Sequence, residues 1–106
     1  MSAIPEDLRL PPGIPKEFRD ELKMIQSDIV RARRRLKLAE DGVANSSTLV
    51  DQAILAYQEG ASSIEDLNAI VRQMADHTNN ANYYRNEIGH REQQLWSRIE
   101  QIRKEK

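Results

Sequence analysis

Apolar residues between positions 18 and 43 recur at alternating intervals of four and three residues. The unbroken series comprises Phe18, Leu22, Ile25, Ile29, Ala32, Leu36, Ala39 and Val43. This is the spacing of the a and d positions of a heptad repeat, which bury a narrow seam against a second helix. The pattern therefore predicts a helix over residues 16–44 that is paired along its whole length.

The chain after position 44 predicts two more helices. The tract 45–47 (Asn-Ser-Ser) indicates a break, because short polar side chains cap a new helix better than they continue an old one. We expect a short helix over 48–59, ended by Gly60, and a long helix over 63–104. The apolar seam predicted for this last helix comprises Ile64, Leu67, Val71, Met74, Thr78, Ala81, Ile88, Leu95, Ile99 and Ile102.

The tract 77–82 (His-Thr-Asn-Asn-Ala-Asn) leaves two architectures open. Asn and Thr favour a turn, since their side chains compete for the backbone. The heptad phase nevertheless continues through the tract, which favours one uninterrupted helix. The fold class is therefore all-α, either a coiled-coil-like helical hairpin or a three-helix bundle with a turn near Asn79.

Proline is confined to the first fifteen residues, at positions 5, 11, 12 and 15. Proline lacks a backbone donor and restricts the residue before it, so this segment cannot be regular helix. We predict that residues 1–14 form an extended, disordered tail and that residues 15–106 form a single helical domain.

The charge balance argues against a dedicated polyanion-binding protein. The chain has 16 basic and 17 acidic residues and a formal net charge of −1. A dedicated nucleic-acid-binding protein would be expected to carry a basic surplus. Cysteine is absent, and no apolar run reaches the roughly 20 residues needed to span a bilayer. With no apolar stretch of signal-peptide length near Met1, we expect a cytoplasmic location.

A local basic cluster provides an alternative hypothesis. Arg31, Arg33, Arg34, Arg35 and Lys37 could bind the phosphates of a polyanion. The same residues occupy the later part of the predicted helix, where cations are favoured by the helix dipole and their stems can cover an apolar seam. Nucleic-acid binding is therefore the second hypothesis.

Candidate chemistry is sparse. Glu87 and His90 have the Glu-x-x-His spacing of di-metal bundles, but such a site needs a second pair and two further carboxylates. The four glycines are scattered, so no phosphate-binding loop is present. We expect no enzymatic activity, no metal and no cofactor.

The function predicted from these features is a non-catalytic protein–protein interaction module, such as an assembly factor, chaperone, structural subunit or adaptor. We expect binding to a protein partner, to a second copy of the chain, or to both, because a last helix of about 40 residues would extend beyond its mate. Leu95, Ile99 and Ile102 would then lack an intrachain contact. The predicted self-association seam comprises Phe18, Leu22, Ile25, Ile29, Leu36, Leu95, Ile99 and Ile102.

A second alternative comes from a sequence resemblance. Tyr83 and Glu87 form a Tyr-x-x-x-Glu pattern which, with the chain length and the predicted hairpin, resembles the WXG100-type secreted helical hairpins. The resemblance implies an export signal. The chain lacks the Trp-x-Gly turn of that family and has Thr-Leu-Val-Asp over 48–51 at its midpoint. We therefore do not assign it to the family.

Overall fold

The computed structural model describes residues 4–105, in which every regular secondary-structure element is a helix. A 3-10 helix, Glu6–Leu8, precedes two long helices, α1 (Lys16–Gln58) and α2 (Ile64–Lys104). The long helices pack as a hairpin, so the hairpin prediction is confirmed and the three-helix bundle is wrong. Within residues 4–105, no helix combines the length and the apolar character needed to cross a membrane.

The end of α1 is a glycine-dependent cap. Gly60 has a φ of 76°, in the left-handed region that favours glycine. The N–H of Ala61 donates to the carbonyl of Ala56 at 2.8 Å, and the N–H of Gly60 donates to the carbonyl of Tyr57 at 3.0 Å. This pair of hydrogen bonds is a Schellman motif, which satisfies the last carbonyls of the helix.

The predicted break over 45–47 is wrong, because α1 continues through it. Ser46 is buried and lies in the heptad series of Ala32, Ala39 and Ala53, each seven residues from the next. Neither glycine nor proline interrupts the tract. The small Ser46 side chain therefore serves the helix–helix seam instead of capping a new helix.

The Asn-rich tract over 77–82 is also helical, and α2 is uninterrupted. The hydroxyl of Thr78 donates to the carbonyl of Met74 at 3.0 Å, so this side chain is satisfied within the helix. At the start of α2, Ser63 Oγ accepts the N–H of Asp66 at 3.2 Å and caps the first turn.

The chain divides into two compact units, which we describe separately. The terminal unit contains the described residues 4–34 and 85–105, and the tip unit is Arg35–Tyr84. The terminal unit holds the main apolar core. Its buried members are Leu8, Ile14, Leu22, Ile25, Ile29, Leu95, Ile99 and Ile102.

Residues 4–14, which we call the strap, pack into the core of the terminal unit. Leu8 is 1% exposed and Ile14 is 4% exposed. The predicted disordered tail is therefore corrected for these residues, while positions 1–3 of that prediction lie outside the described part of the chain. Sequence reasoning missed the strap because its prolines exclude regular helix and the heptad seam begins only at Phe18.

Candidate interaction surface

Polar side chains at heptad spacing along α1 hold the strap. Arg19 Nε donates to the carbonyl of Ile14 at 3.2 Å. Seven residues later, Gln26 Nε2 donates to the carbonyl of Leu8 at 2.5 Å. Seven residues later again, Arg33 binds the strap through an ion pair. One edge of α1 thus supplies donors to an extended segment whose own backbone bonds are incomplete.

Arg33 joins the strap to both helices of the terminal unit. Its Nη2 lies 2.7 Å from Asp7 Oδ2 and 2.7 Å from Glu92 Oε1. The hydrogen bond from Arg33 lowers the pKa of Asp7 below its ordinary value. The hydrogen bonds to Asp7 and then to Glu92 raise the pKa of Arg33. Arg33 therefore stays charged and pairs with both carboxylates.

Gln26 is a buried polar residue in the terminal unit, with 2% of its surface exposed. Its amide nitrogen serves the Leu8 carbonyl, but its Oε1 has no hydrogen-bond partner among the described residues. A buried unpaired acceptor is destabilising. An apolar replacement would remove that acceptor but leave the Leu8 carbonyl without its donor.

Two further ion pairs, on another edge of the terminal unit, show the register between α1 and α2. Glu21 pairs with Arg98 at 3.1 Å, and Asp28 pairs with Arg91 at 3.3 Å. One heptad forward on α1 thus matches one heptad backward on α2, as a regular antiparallel pair requires. The Arg98 guanidinium also lies 5.3 Å from the ring centroid of Phe18, within cation–π range.

Only one residue of the Glu-x-x-His pair, Glu87, takes part in the ion pairs of this edge. Glu87 Oε1 lies 3.0 Å from Arg91 Nε, an i, i+4 contact along α2. His90 is exposed. Within residues 4–105, no group of three or more His, Cys, Asp or Glu side chains is placed to hold a metal ion.

The tip unit has a seam of small residues. Its fully buried side chains are Ala39, Ser46, Ala53 and Ala81. The helices meet closely at Gly42, where an added Cβ would lie 2.6 Å from Nδ1 of His77. The two-helix layer of the tip unit therefore buries little apolar volume by itself.

Half of the predicted α2 seam is displaced by one residue in the tip unit. Ile64, Val71 and Thr78 were expected in the seam but are exposed. Ile70 and His77, one position before Val71 and Thr78, are half-buried in their place. The series that contains Val71 and the series that contains Ile70 both have three- and four-residue intervals, so spacing alone does not show which one lies in the seam. The cleft at Gly42 accepts the imidazole of His77, which favours the series that contains Ile70 and His77.

This displacement leaves large apolar side chains exposed on both helices. The exposed fractions are 39% for Ile54, 45% for Tyr57, 43% for Ile64 and 45% for Val71. On both helices these residues are displaced from the seam in the same direction about the helix axis. Because the two helices are antiparallel, this displacement brings the residues to one face of the two-helix layer. With four half-buried neighbours they form what we call the tip face: Val43, Val50, Ile54, Tyr57, Ile64, Leu67, Val71 and Met74.

Contacts in the terminal unit support the placement of Ile54 and Val71 on one face of the helix pair. Ile54 lies three heptads after Arg33 on α1, and Val71 lies three heptads before Glu92 on α2. Arg33 and Glu92 contact each other and, through Asp7, the strap. Of the equivalent heptad positions of the tip unit, Ile54, Ile64 and Val71 are apolar and exposed, whereas Glu40, Ser47 and Thr78 are polar. Sequence reasoning missed this surface, although the uninterrupted heptad phase from Val43 onward was a signal for it.

The predicted self-association seam lies mostly inside the terminal unit. Leu22, Ile25, Ile29, Leu95, Ile99 and Ile102 are in its core, and Phe18 packs against that core. Leu36 is half-buried in the tip unit. The expected excess length of the last helix is absent, because α1 has 43 residues and α2 has 41. Leu95, Ile99 and Ile102 therefore find intrachain contacts.

The basic cluster is distributed between the units. Arg33 is committed to its two ion pairs. Arg31 and Arg34 are exposed in the terminal unit, while Arg35 and Lys37 are exposed in the tip unit. The structure therefore removes one of the five predicted phosphate ligands from the exposed set.

The residues of the secretion-type pattern are placed as follows. Tyr83 is exposed and makes an edge contact with Tyr84, with ring centroids 5.3 Å apart. Glu87 is in its ion pair with Arg91. The midpoint tetrapeptide over 48–51 lies within α1, and the hairpin turns after Gln58.

Comparison of this chain with protein-family models, with curated proteins and with solved structures finds no match. The function proposed next therefore rests on the fold and the contacts of this chain alone.

Proposed function

We propose that this chain is a non-catalytic helical module that binds a protein partner through the tip face. The observation that supports this most is the exposure of Ile54, Tyr57, Ile64 and Val71 on one face of a two-helix layer. Contiguous exposed apolar side chains on a soluble domain mark interaction sites. Assembly factor, chaperone, structural subunit and adaptor are roles that such a module serves.

The strap indicates which kind of partner suits this face. In the terminal unit, donors from Arg19, Gln26 and Arg33 bind two carbonyls and a carboxylate of the strap that its own backbone hydrogen bonds do not satisfy. The corresponding heptad positions of the tip unit include Ser47 and Ile54, which offer far fewer donors. An extended peptide would leave its backbone unpaired there. A helix satisfies its own backbone, so the proposed partner presents an apolar helical face.

Site-specific photo-cross-linking in the native host tests this proposal. A photoreactive amino acid replaces Val71 of the tip face, and the matched control replaces Arg72, an exposed neighbour on the same helix but outside that face. We expect a discrete cross-linked polypeptide from position 71 and none from position 72. The same replacement is also made at Ile54. Equal labelling at positions 71 and 72, or no adduct at either position 71 or position 54, would contradict the proposal.

A further inference from the structure

We infer that the helical partner of the tip face is the tip face of a second copy of this chain, so that two hairpins form a four-helix bundle. This inference rests on the proposed function, because it names the partner of the same surface. It also places self-association on residues other than those of the terminal core, which are already buried within one chain.

The first argument is charge. Charged residues make up 31% of the chain, yet none of the eight tip-face residues is charged. A two-fold dimer brings a surface against itself, so each residue lies near its own copy or its symmetry partners. A charge close to the two-fold axis would therefore face a like charge. The tip face avoids this repulsion, while a highly charged partner would gain no ion pairs from it.

The second argument is the layer structure of the tip unit. A stable helical domain needs a second layer against which the apolar face of the first is buried. In the terminal unit the strap supplies additional cover, with Leu8 and Ile14 in the core. In the tip unit the buried residues are small, and the tip face is uncovered. A second hairpin supplies two helices at once and completes a four-helix bundle.

The third argument is surface area. The chain exposes 7752 Å², whereas a folded monomer of its 12.2 kDa mass exposes about 6,100 Å². The surplus of about 1,700 Å² for one chain exceeds the roughly 800 Å² that each partner of a standard protein–protein interface buries. One chain alone therefore exposes more surface than a compact monomer of its mass, and a dimer through the tip face would bury part of that surplus.

The size of the tip face sets the expected affinity. Residues 43–57 of α1 extend about 22 Å, and two adjacent helices are about 20 Å wide. The projected face is then roughly 440 Å² for each copy, or about 880 Å² for the pair, which is in the range of weak, transient interfaces. We expect a dissociation constant on the order of 10 μM, since small interfaces bind weakly unless they hold exceptional contacts.

Sedimentation of the purified full chain over about 5–500 μM tests the inference. We expect a concentration-dependent shift from 12.2 kDa to twice that mass, and a melting temperature that rises with concentration. Val71→Glu should abolish the dimer, because it would bury an unpaired carboxylate in an apolar interface. Leu38→Glu is the matched control. Leu38 is an exposed apolar residue of the same unit outside the tip face, and its variant should still dimerise.

Circular dichroism establishes that each variant is folded. If Val71→Glu loses helicity, Ile64→Glu replaces it, because a carboxylate in the first turn of α2 is favourable for the helix. A monomer at every concentration overturns the inference, as does a dimer that survives a folded tip-face variant or that Leu38→Glu disrupts equally. A strict monomer that still cross-links another polypeptide from position 71 would overturn self-association and leave the proposed function in place.

Discussion

Gly42 of α1 lies directly against the imidazole of His77 of α2 in the tip unit. A Cβ built on Gly42 would lie 2.6 Å from Nδ1 and 2.9 Å from Cγ of the imidazole. Real Cβ atoms do not come this close to other heavy atoms, so any larger residue forces the ring to move. Glycine in a helix interior is itself unfavourable by about 1 kcal/mol relative to alanine. The close packing of the imidazole accounts for a residue that helix propensity alone would disfavour.

Gly42→Ala should therefore destabilise the protein by about 1–3 kcal/mol, as overpacking does. Urea denaturation measures this change. Gly89→Ala is the control, because no heavy atom lies within 4 Å of its added Cβ. That substitution should stabilise the helix by up to about 1 kcal/mol. In a His77→Ala background, Gly42→Ala should change sign and become stabilising. A Gly42→Ala variant as stable as the Gly89→Ala variant would contradict the close approach.

Leu8→Ala should lower the free energy of unfolding by about 2–5 kcal/mol, since it removes a side chain from a filled core. Leu38→Ala, at an exposed position, should change it by less than about 0.5 kcal/mol. Chemical denaturation of the two variants beside the parent chain makes the comparison. Equal stability of the Leu8 and Leu38 variants would mean that the strap is not part of the folded core.

Asp7 should titrate below its ordinary value near 3.8, because Arg33 donates a hydrogen bond to the charged carboxylate. A depressed pKa in the folded state stabilises the fold at neutral pH, and this contribution is lost as pH falls through the folded-state pKa, below about 4. Carbon-detected NMR titration of the carboxyl group measures the pKa. Arg33→Gln should return it towards the ordinary value. An unchanged pKa in that variant would assign the shift to another cause.

Ile29→Asp should unfold the chain, because it places an unpaired charge in a buried apolar site. Met24→Asp makes the same kind of change on the exposed surface of the same helix and should leave the fold intact. Circular dichroism at about 25 °C distinguishes the two. A folded Ile29→Asp variant with an unchanged melting temperature would be inconsistent with the core described above.

Duplex DNA should bind weakly at about 0.15 M salt, in the 10⁻⁴ to 10⁻⁶ M range of nonspecific electrostatic association or weaker. The chain has no basic surplus, and Arg33 is already paired with Asp7 and Glu92. Fluorescence anisotropy with a labelled duplex measures the affinity. Submicromolar binding that disappears on joint replacement of Arg31, Arg34 and Arg35 by alanine would establish the polyanion-binding alternative instead.

Much of α1 could be read from the sequence, and part of it was misread. The apolar series from Phe18 to Val43 predicted a long paired helix because each member recurs on one helical edge. The same phase continues through Ser46 and Ala53, which signals that the helix goes on. Local capping preference argued for a break at the intervening polar tract. Packing between the helices outweighs this local preference, because the small side chains of the seam permit the helices to pack closely.

The candidate surface could not be predicted from periodicity. On α2, the series containing Val71 and the series containing Ile70 have equally good heptad spacing, and only packing against α1 distinguishes them. The cleft at Gly42 accepts His77, which places the second series in the seam. Val71 is thereby left exposed on the tip face.

The sequence by itself determined the all-helical class, the hairpin alternative and most of the terminal core, because these depend on local periodicity and on residue type. The tertiary structure decided the role of the strap and the location of the uncovered face. The packing of Leu8 and Ile14 depends on contacts with α1 and α2 that are distant in sequence. The exposure of Ile54 and Val71 depends on the rotation of each helix about its axis. Heptad spacing constrains that rotation only to within about one residue, or 100°, and side-chain packing between the helices fixes the rest.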